Sequence, residues 1–265
     1  MKKHLIVITG PTAVGKTAQS IDIARHFNTE IISADSRQFY KELKIGVAAP
    51  TEEELNTVRH HFVGHLSITD YYNVSRFEND VLAFLKAHFK DHDLAVMVGG
   101  SGLYIDAVCK GIDKLPDPDA SLRQSLKEIY NEEGIEALQQ KLKQLDPEYY
   151  QVVDLQNPNR LLRALEVCMM TGTPYSQLRL NEKKERDFNI IKTGLDRPRT
   201  ELFERIEKRT DQMVEQGLIE EVKSLLPYRH LNALNTVGYK EIFKYLDGDW
   251  SLKLAIEKIK TNTRR

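Results

Sequence analysis

The sequence predicts an α/β fold in which a parallel sheet is flanked by helices and carries an inserted all-helical subdomain. Short apolar runs alternate with amphipathic helical segments through the first hundred residues, and this alternation is typical of a parallel sheet covered on both faces. From residue 116 to residue 185 the pattern becomes polar and helical, with breaks at Pro147, Pro158 and Pro174. We therefore predict an α/β core at residues 1–115 and 186–265, and a helical insertion at residues 116–185.

Strands are predicted where apolar residues follow one another and glycine or polar residues bound the run. These runs are residues 5–9, 30–34, 62–68, 94–98 and 189–195. The fourth run, LAVMV, is apolar throughout, which is typical of a parallel strand buried on both faces. Because ligands of such sheets bind beyond the carboxyl ends of the strands, we expect the residues that follow these ends to converge on one crevice.

Helices are predicted where apolar residues recur every three or four positions. The first runs from a glycine-rich loop to residue 27, the second covers residues 75–91, a third begins at residue 103, and a long one spans residues 200–216. Ser75 and Glu78 have the spacing of a capping box, so we expect the second helix to begin at Ser75.

The glycine-rich loop after the first strand matches the complete phosphate-loop pattern G-x-x-x-x-G-K-[ST]. Its residues are Gly10, Pro11, Thr12, Ala13, Val14, Gly15, Lys16 and Thr17. In such a loop consecutive backbone N–H groups turn toward phosphate oxygens, and the start of the following helix adds partial positive charge. The lysine adds a full charge, and the threonine hydroxyl is placed to ligate Mg²⁺. The sequence therefore predicts binding of a di- or triphosphate by a P-loop NTPase-like core.

Composition is that of an ordinary globular protein, with 265 residues, 41% hydrophobic residues and a net charge of −1. No apolar run approaches the roughly 20 residues that span a bilayer. The two cysteines lack metal-binding spacing, so we expect a cytoplasmic protein with reduced thiols and no membrane contact. Basic residues are dense between residues 159 and 209, which leaves nucleic-acid contact open.

Asp35 directly follows the second predicted strand and is the acidic residue expected nearest the phosphate crevice. The strand at residues 94–98 ends in glycines rather than in the carboxylate with which many NTPases hold Mg²⁺. On spacing alone, Asp35 is equally suited to ligate a metal, to act as a general base or to cap a turn. A kinase of a small metabolite fits this pattern too, and spacing does not identify the acceptor.

Six longer stretches occur in order along the chain: GPTAVGKT, ISADSRQFY, IGVAAP, VGGSGLY, NPNRLLRALE and VGYKE. Together they closely resemble the tRNA isopentenyl transferase family, the tRNA dimethylallyltransferases, over essentially the whole chain. The resemblance implies transfer of a dimethylallyl group from dimethylallyl diphosphate to N6 of an adenosine beside the anticodon of tRNA, with Mg²⁺ as cofactor. It also explains the glycines after residue 98, because the diphosphate is then a leaving group on carbon.

By this resemblance Asp35 is the base that takes the N6 proton, while Lys16, Thr17 with Mg²⁺, and an arginine stabilise the leaving diphosphate. Arg205 is the expected arginine, and Arg209, one helical turn later, is its close competitor. Thr12 should line the donor pocket. The family's contacts to the tRNA anticodon stem-loop carry over to a larger set. These residues are Asp35, Ser36, Arg37, Gln38, Ser101, Arg123, Asn159, Arg160, Leu161, Leu162 and Arg163.

Three other functions stay open at this point: an adenylate isopentenyltransferase that acts on free nucleotides, the metabolite kinase, and a noncatalytic RNA-binding module. The helical insertion with Arg160 and Arg163 favours a large RNA acceptor, and the intact Lys16, Thr17 and Asp35 favour an enzyme. The alternative for Arg163 is an internal ion pair with Glu166. We expect a monomer.

Overall fold

The computed structural model describes residues 2–180 and 182–264. It divides into two compact units, Met1–Cys109 with Glu185–Arg265 and Lys110–Lys184. Residues 110–115, which the sequence analysis placed in the core, cluster with the helical unit. The reason is local, since the Lys184 N–H donates to the Lys110 carbonyl at 2.7 Å and joins the two ends of that unit.

The described residues of the first unit form a five-stranded parallel sheet with the order β3-β2-β4-β1-β5. The strands are β1 (His4–Thr9), β2 (Ile31–Ser33), β3 (His60–His61), β4 (Leu94–Val98) and β5 (Asn189–Gly194). The α/β class predicted from the sequence is therefore confirmed. All carboxyl ends lie at one edge of the sheet, and β5 returns to the sheet after the helical unit.

Helices connect these strands and follow them along the chain. They are α1 (Lys16–His26), α2 (Glu52–Thr57), α3 (Val74–His88), α4 (Gly102–Lys110), α5 (Ala120–Glu133), α6 (Ile135–Leu145), α7 (Pro147–Val152), α8 (Pro158–Thr171), α9 (Tyr175–Leu178), α10 (Arg199–Glu215), α11 (Leu218–Ser224), α12 (Tyr239–Leu246) and α13 (Leu252–Thr263). None of the described helices is both long and apolar enough to cross a membrane.

Alternation along the strands gives the sheet two apolar faces. On one face Leu5 and Met97 pack with Phe77 of α3, whereas on the other Ile8 and Val96 belong to a cluster with α1. A third cluster is built by α10 to α13. The helical unit has its own core, formed by α5, α6, α7 and α8.

Two local predictions were wrong. The strand predicted at residues 62–68 is absent from the described chain, where Phe62 and Gly64 have left-handed φ values of 63° and 57° and the pairing strand is His60–His61. Helix α3 begins at Val74 rather than Ser75, because the Asn73 side chain accepts the Arg76 N–H at 2.9 Å. Asn is a strong N-cap residue.

Candidate active site

A cavity of about 780 Å³ lies in the first unit, at the carboxyl edge of the sheet. It is lined by the phosphate loop after β1, by Asp35 after β2, by residues 46–49 and by α10. The crevice predicted from strand ends is therefore present, and it brings the phosphate loop and Asp35 to one cavity.

The phosphate loop connects β1 to α1, which begins at Lys16. The Lys16 ammonium donates to the carbonyls of Gly10 and Pro11, both at 2.9 Å. Burial lowers the pKa of Lys16, the carboxylate of Asp35 opposes this effect, and the charge of Arg209 adds to it. The ammonium is thus held over the loop in an environment that favours an incoming anion.

Both arginines considered from the sequence project from α10 to the phosphate loop. Arg209 is half-buried and donates to the Thr12 hydroxyl at 2.7 Å, whereas the exposed Arg205 donates from Nε to the Ala13 carbonyl at 2.6 Å. Burial also lowers the pKa of the Arg209 guanidinium, and the neighbouring charge of Arg205 acts in the same direction. Residues 205 and 209 lie one turn apart, so α10 presents both to the cavity.

A third arginine contacts the loop and was not among the site residues predicted from the sequence. Arg197 follows β5 and donates from Nε to the Val14 carbonyl at 2.8 Å, while its guanidinium also pairs with Glu201. Arg197 could have been found in the same way as Asp35, because it follows the carboxyl end of the strand predicted at residues 189–195, and ligands bind beyond such ends.

Asp35 lies in the turn that follows β2 and lines the cavity. Its Oδ1 accepts the Arg37 N–H at 3.0 Å, so the carboxylate is oriented by its own turn. Ser36 and Ser101 meet beside it, since the Ser101 hydroxyl accepts the Ser36 N–H at 2.9 Å and donates to its hydroxyl at 3.1 Å. The structure thus brings Asp35, Ser36 and Ser101 together from two strand ends.

Arg37 and Gln38 make internal contacts as well as facing the cavity. The Arg37 guanidinium donates to the carbonyls of Asn232 at 2.7 Å and Ala233 at 3.3 Å. The Gln38 amide donates to the carbonyl of Ala48 at 3.0 Å. Both side chains therefore hold neighbouring segments in place, a role that the sequence did not reveal.

Thr17 is the residue predicted to ligate a metal, and it lines the cavity next to Lys16. Among the described residues no group of three or more His, Cys, Asp or Glu side chains is placed to hold a metal ion. A divalent cation here fits a site where one hydroxyl from the protein joins oxygens from a bound diphosphate and from water.

In the helical unit, two of the predicted RNA-contact arginines share one buried carboxylate. Glu166 is fully buried, and its Oε2 lies 2.8 Å from Arg163 and 3.6 Å from Arg123. Arg163 also donates to the Pro116 carbonyl at 2.6 Å. The internal ion pair considered from the sequence is thus formed, although the Arg163 and Arg123 side chains keep 25% and 33% of their surface exposed.

The other predicted RNA contacts on α8 separate into surface and core. Asn159 and Arg160 are exposed on the first turn. Leu161 and Leu162 are 0% and 5% exposed and pack in the helical core, so their side chains are not available to RNA. Each helical residue is rotated by about 100° from the one before it, so residues 159 and 160 fall on the exposed side of α8 and residues 161 and 162 on the buried side.

The fold and the loop define a class of protein, one that carries a phosphate-loop motif at the carboxyl edge of a parallel sheet. The sequence model of the family described as IPP transferase matches residues 38–265. The chain belongs to this family.

Curated relatives agree over nearly the full length. The chain is 55% identical over 260 residues to tRNA dimethylallyltransferase 1 of Bacteroides thetaiotaomicron, covering 98% of this chain and 84% of that protein. It is 54% identical over 265 residues to tRNA dimethylallyltransferase of Christiangramia forsetii, covering 100% and 88%.

Solved structures have the same fold. A full-length tRNA isopentenylpyrophosphate transferase from Bacillus halodurans superposes with a TM-score of 0.69 at 35% identity, covering 100% of this chain and 84% of that one. A eukaryotic dimethylallyltransferase acting on tRNA gives a TM-score of 0.79 at 26% identity, covering 99% and 67%.

Proposed function

We propose that this protein is a tRNA dimethylallyltransferase: it moves the dimethylallyl group of dimethylallyl diphosphate to N6 of an adenosine adjacent to the anticodon and releases diphosphate. The observation that carries the proposal is one cavity lined both by the cationic phosphate loop and by the carboxylate of Asp35. A leaving diphosphate and an amine that must lose a proton require these two features on opposite sides of the reacting carbon.

The donor's diphosphate binds at the phosphate loop. Lys16 and Arg209 leave their present oxygen partners, the Gly10 and Pro11 carbonyls and the Thr12 hydroxyl, to donate to phosphate oxygens. Arg209 is the stronger candidate of the two α10 arginines because it is the more buried, and charge interactions strengthen away from water. Mg²⁺ held by Thr17 and the diphosphate supplies further charge stabilisation when bound.

The acceptor adenosine enters from the side of Asp35. As the bond from N6 to the allylic carbon forms, the bond from that carbon to the diphosphate oxygen breaks and the N6 proton passes to the Asp35 carboxylate. The orientation of Asp35 by the Arg37 N–H keeps one carboxylate oxygen engaged. Ser36 and Ser101 place hydroxyl groups beside the carboxylate, suited to contact the nucleoside.

The helical unit, Lys110–Lys184, contacts tRNA in this proposal. Arg160 and Asn159 are its exposed contacts on α8, and the partly exposed Arg123 and Arg163 add positive charge to the same unit. Such residues suit phosphate and sugar contacts, which position an RNA without reading its sequence. The relatives named for their action on tRNA favour this acceptor over free nucleotides or a metabolite. The enzyme acts in the cytoplasm as a monomer.

The test uses purified protein with labelled dimethylallyl diphosphate, Mg²⁺, and either tRNA, AMP, or ATP with a metabolite panel. Transfer to tRNA alone is the expected result, and transfer to AMP or phosphorylation of a metabolite would contradict it. Asp35→Asn should lower kcat by about 100-fold or more. Its matched control is Asp22→Asn on the exposed side of α1, which should leave kcat unchanged.

A second arm tests the RNA contacts. Arg160→Ala should raise the KM for tRNA while the KM for the donor stays constant, because the side chain is exposed on the helical unit and away from the phosphate loop along the chain. The variant should lose one phosphate contact. The slope of log K for tRNA binding against log salt concentration should therefore become shallower by about 0.7 to 0.9. An unchanged slope would remove Arg160 from the RNA surface.

A further inference from the structure

Residues 44–49 form a segment without regular secondary structure, and four of them line the cavity. Gly46, Val47, Ala48 and Ala49 face the same space as Asp35 and Arg209. The Ala48 and Ala49 N–H groups donate to backbone carbonyls within the segment, whereas those of residues 44–46 need acceptors from elsewhere in the chain.

One carboxylate supplies these acceptors. Glu221 of α11 accepts the N–H groups of three consecutive residues, Lys44 at 3.0 Å, Ile45 at 2.8 Å and Gly46 at 2.9 Å. It also accepts the Tyr239 hydroxyl at 2.6 Å. Hydrogen bonds to a carboxylate are stronger than those between neutral groups, so the three from the segment hold it firmly, while the fourth joins the half-buried Glu221 to Tyr239.

The segment is closely packed against Tyr239. A Cβ on Gly46 would lie 2.6 Å from the Tyr239 ring, so only glycine fits between the ring and the cavity. Ala48 has a left-handed φ of 47°, a conformation that persists only where its surroundings enforce it. The Ala48 N–H donates to the Ile45 carbonyl at 3.0 Å, and the Ile45 N–H is in turn held by Glu221.

The other side of the segment is tied to the turn that carries Asp35. The Gln38 amide donates to the carbonyls of Val47 at 3.3 Å and Ala48 at 3.0 Å. The Gln38 N–H donates to the Asp35 carbonyl at 3.1 Å. A continuous set of hydrogen bonds therefore runs from Glu221 through residues 44–48 and Gln38 to the backbone of Asp35.

We propose that Glu221 is a positioning residue for the transfer reaction: with Tyr239 it fixes residues 44–49 as a rigid cavity wall and thereby sets the place of Asp35 relative to the phosphate loop. The inference rests on the proposed function, because the geometry matters only if a donor and an acceptor meet in this cavity. Glu221 itself contacts neither substrate.

The test compares Glu221→Gln, Tyr239→Phe and the control Glu220→Gln, which changes an exposed carboxylate on the same helix. Glutamine keeps one acceptor oxygen, so two of the four donors lose their partner, whereas Tyr239→Phe removes a single donor. We expect kcat/KM for the donor to fall about tenfold in Glu221→Gln, less in Tyr239→Phe and not at all in the control.

Amide hydrogen exchange distinguishes local loosening of the segment from a loss of overall stability. In both variants the amides of residues 44–46 should exchange faster while those of β1 and β4 keep their protection. A purely structural role would instead lower the melting temperature and raise exchange throughout, with kcat/KM per folded molecule unchanged, and this result would overturn the inference.

The outcomes separate the two proposals. A wild-type protein without prenyl transfer would overturn the proposed function and the inference with it. An active wild type, with Glu221→Gln as active as the control, would overturn the inference alone. If Glu221→Gln fails to fold, Tyr239→Phe decides the question, because its ring is retained and only one hydrogen bond is lost.

Discussion

Replacing Gly99 with alanine tests whether the sheet edge positions Asp35. Gly99 follows β4 and lies against the residue after β2, so that an added Cβ would be 2.3 Å from the Ala34 carbonyl oxygen and 2.4 Å from its carbon. Non-bonded carbon atoms normally approach to about 3.5–4.0 Å. Both neighbours are backbone atoms, so no change of rotamer relieves the clash, and one strand end must move by about 1 Å.

The displaced segment leads directly into Asp35, the proposed base. Ala34 directly precedes Asp35, its N–H donates to the Val98 carbonyl at 2.7 Å, and its carbonyl accepts the Ser101 N–H at 3.2 Å. A displacement of about 1 Å at a catalytic group costs about 100-fold in rate. Overpacking a well-filled site costs about 1–3 kcal/mol of unfolding free energy.

We therefore expect Gly99→Ala to lower kcat by about 100-fold and the unfolding free energy by about 1–3 kcal/mol. Single-turnover prenyl transfer at saturating donor and tRNA measures the first, and urea unfolding the second. Gly102→Ala is the matched control, since a Cβ there meets nothing within 4 Å. A Gly99→Ala enzyme with kcat within about threefold of wild type would refute the reasoning.

Three further predictions follow from single contacts. Arg209→Ala should lower kcat/KM for the donor more than Arg205→Ala, because Arg209 is the more buried; steady-state kinetics at fixed tRNA checks the order. Glu166→Ala should lower the unfolding free energy by about 1–2 kcal/mol in urea, since two partly exposed arginines lose their shared acceptor. Burial lowers the pKa of His88, so over a range of pH the unfolded chain binds a proton at this residue and the folded chain does not. The free energy of unfolding should therefore fall as the pH drops from about 6.5 toward the pKa of the folded state. His88→Gln should flatten this slope by at most about 1.4 kcal/mol per pH unit in thermal unfolding, and a slope equal to that of the wild type would contradict the prediction.

The sequence predicted those features that depend on local pattern. Apolar runs located β1, β4 and β5, and the phosphate-loop motif located the strand-to-helix turn. Helical spacing placed Arg205 and Arg209 one turn apart, and both do reach the loop. These predictions succeed because each uses a period or a motif contained within a few neighbouring residues.

Features that depend on distant partners were not predictable in this way. Glu78 has capping-box spacing from Ser75, but it is buried and pairs with Arg186 at 2.7 Å, more than a hundred positions away in the sequence. Strand β3 has two residues, too short for any period, and exists only because β2 offers an open edge. Propensity gives way to tertiary contacts in both cases.

Glu221 illustrates the same limit at the candidate site. An irregular segment such as IGVAAP must find acceptors for its N–H groups, and this need is visible in the sequence. The sequence does not identify the acceptor, because Glu221 is at a position of the amphipathic α11 where a solvent-exposed glutamate is equally expected. Only the folded chain brings residues 44–46 to this one carboxylate among many.

Positive charges are clustered at the phosphate loop. Burial lowers the pKa of both Lys16 and Arg209, and the Arg209 charge contributes to the effect on Lys16. Bringing these cations together away from water is therefore unfavourable in the free protein, and an anion that joins them relieves the repulsion. The relief grows with the negative charge placed between them, which increases as the carbon–oxygen bond breaks. In the proposed reaction, cations crowded at the loop favour a departing diphosphate over the intact donor, and a difference of this kind accelerates the transfer.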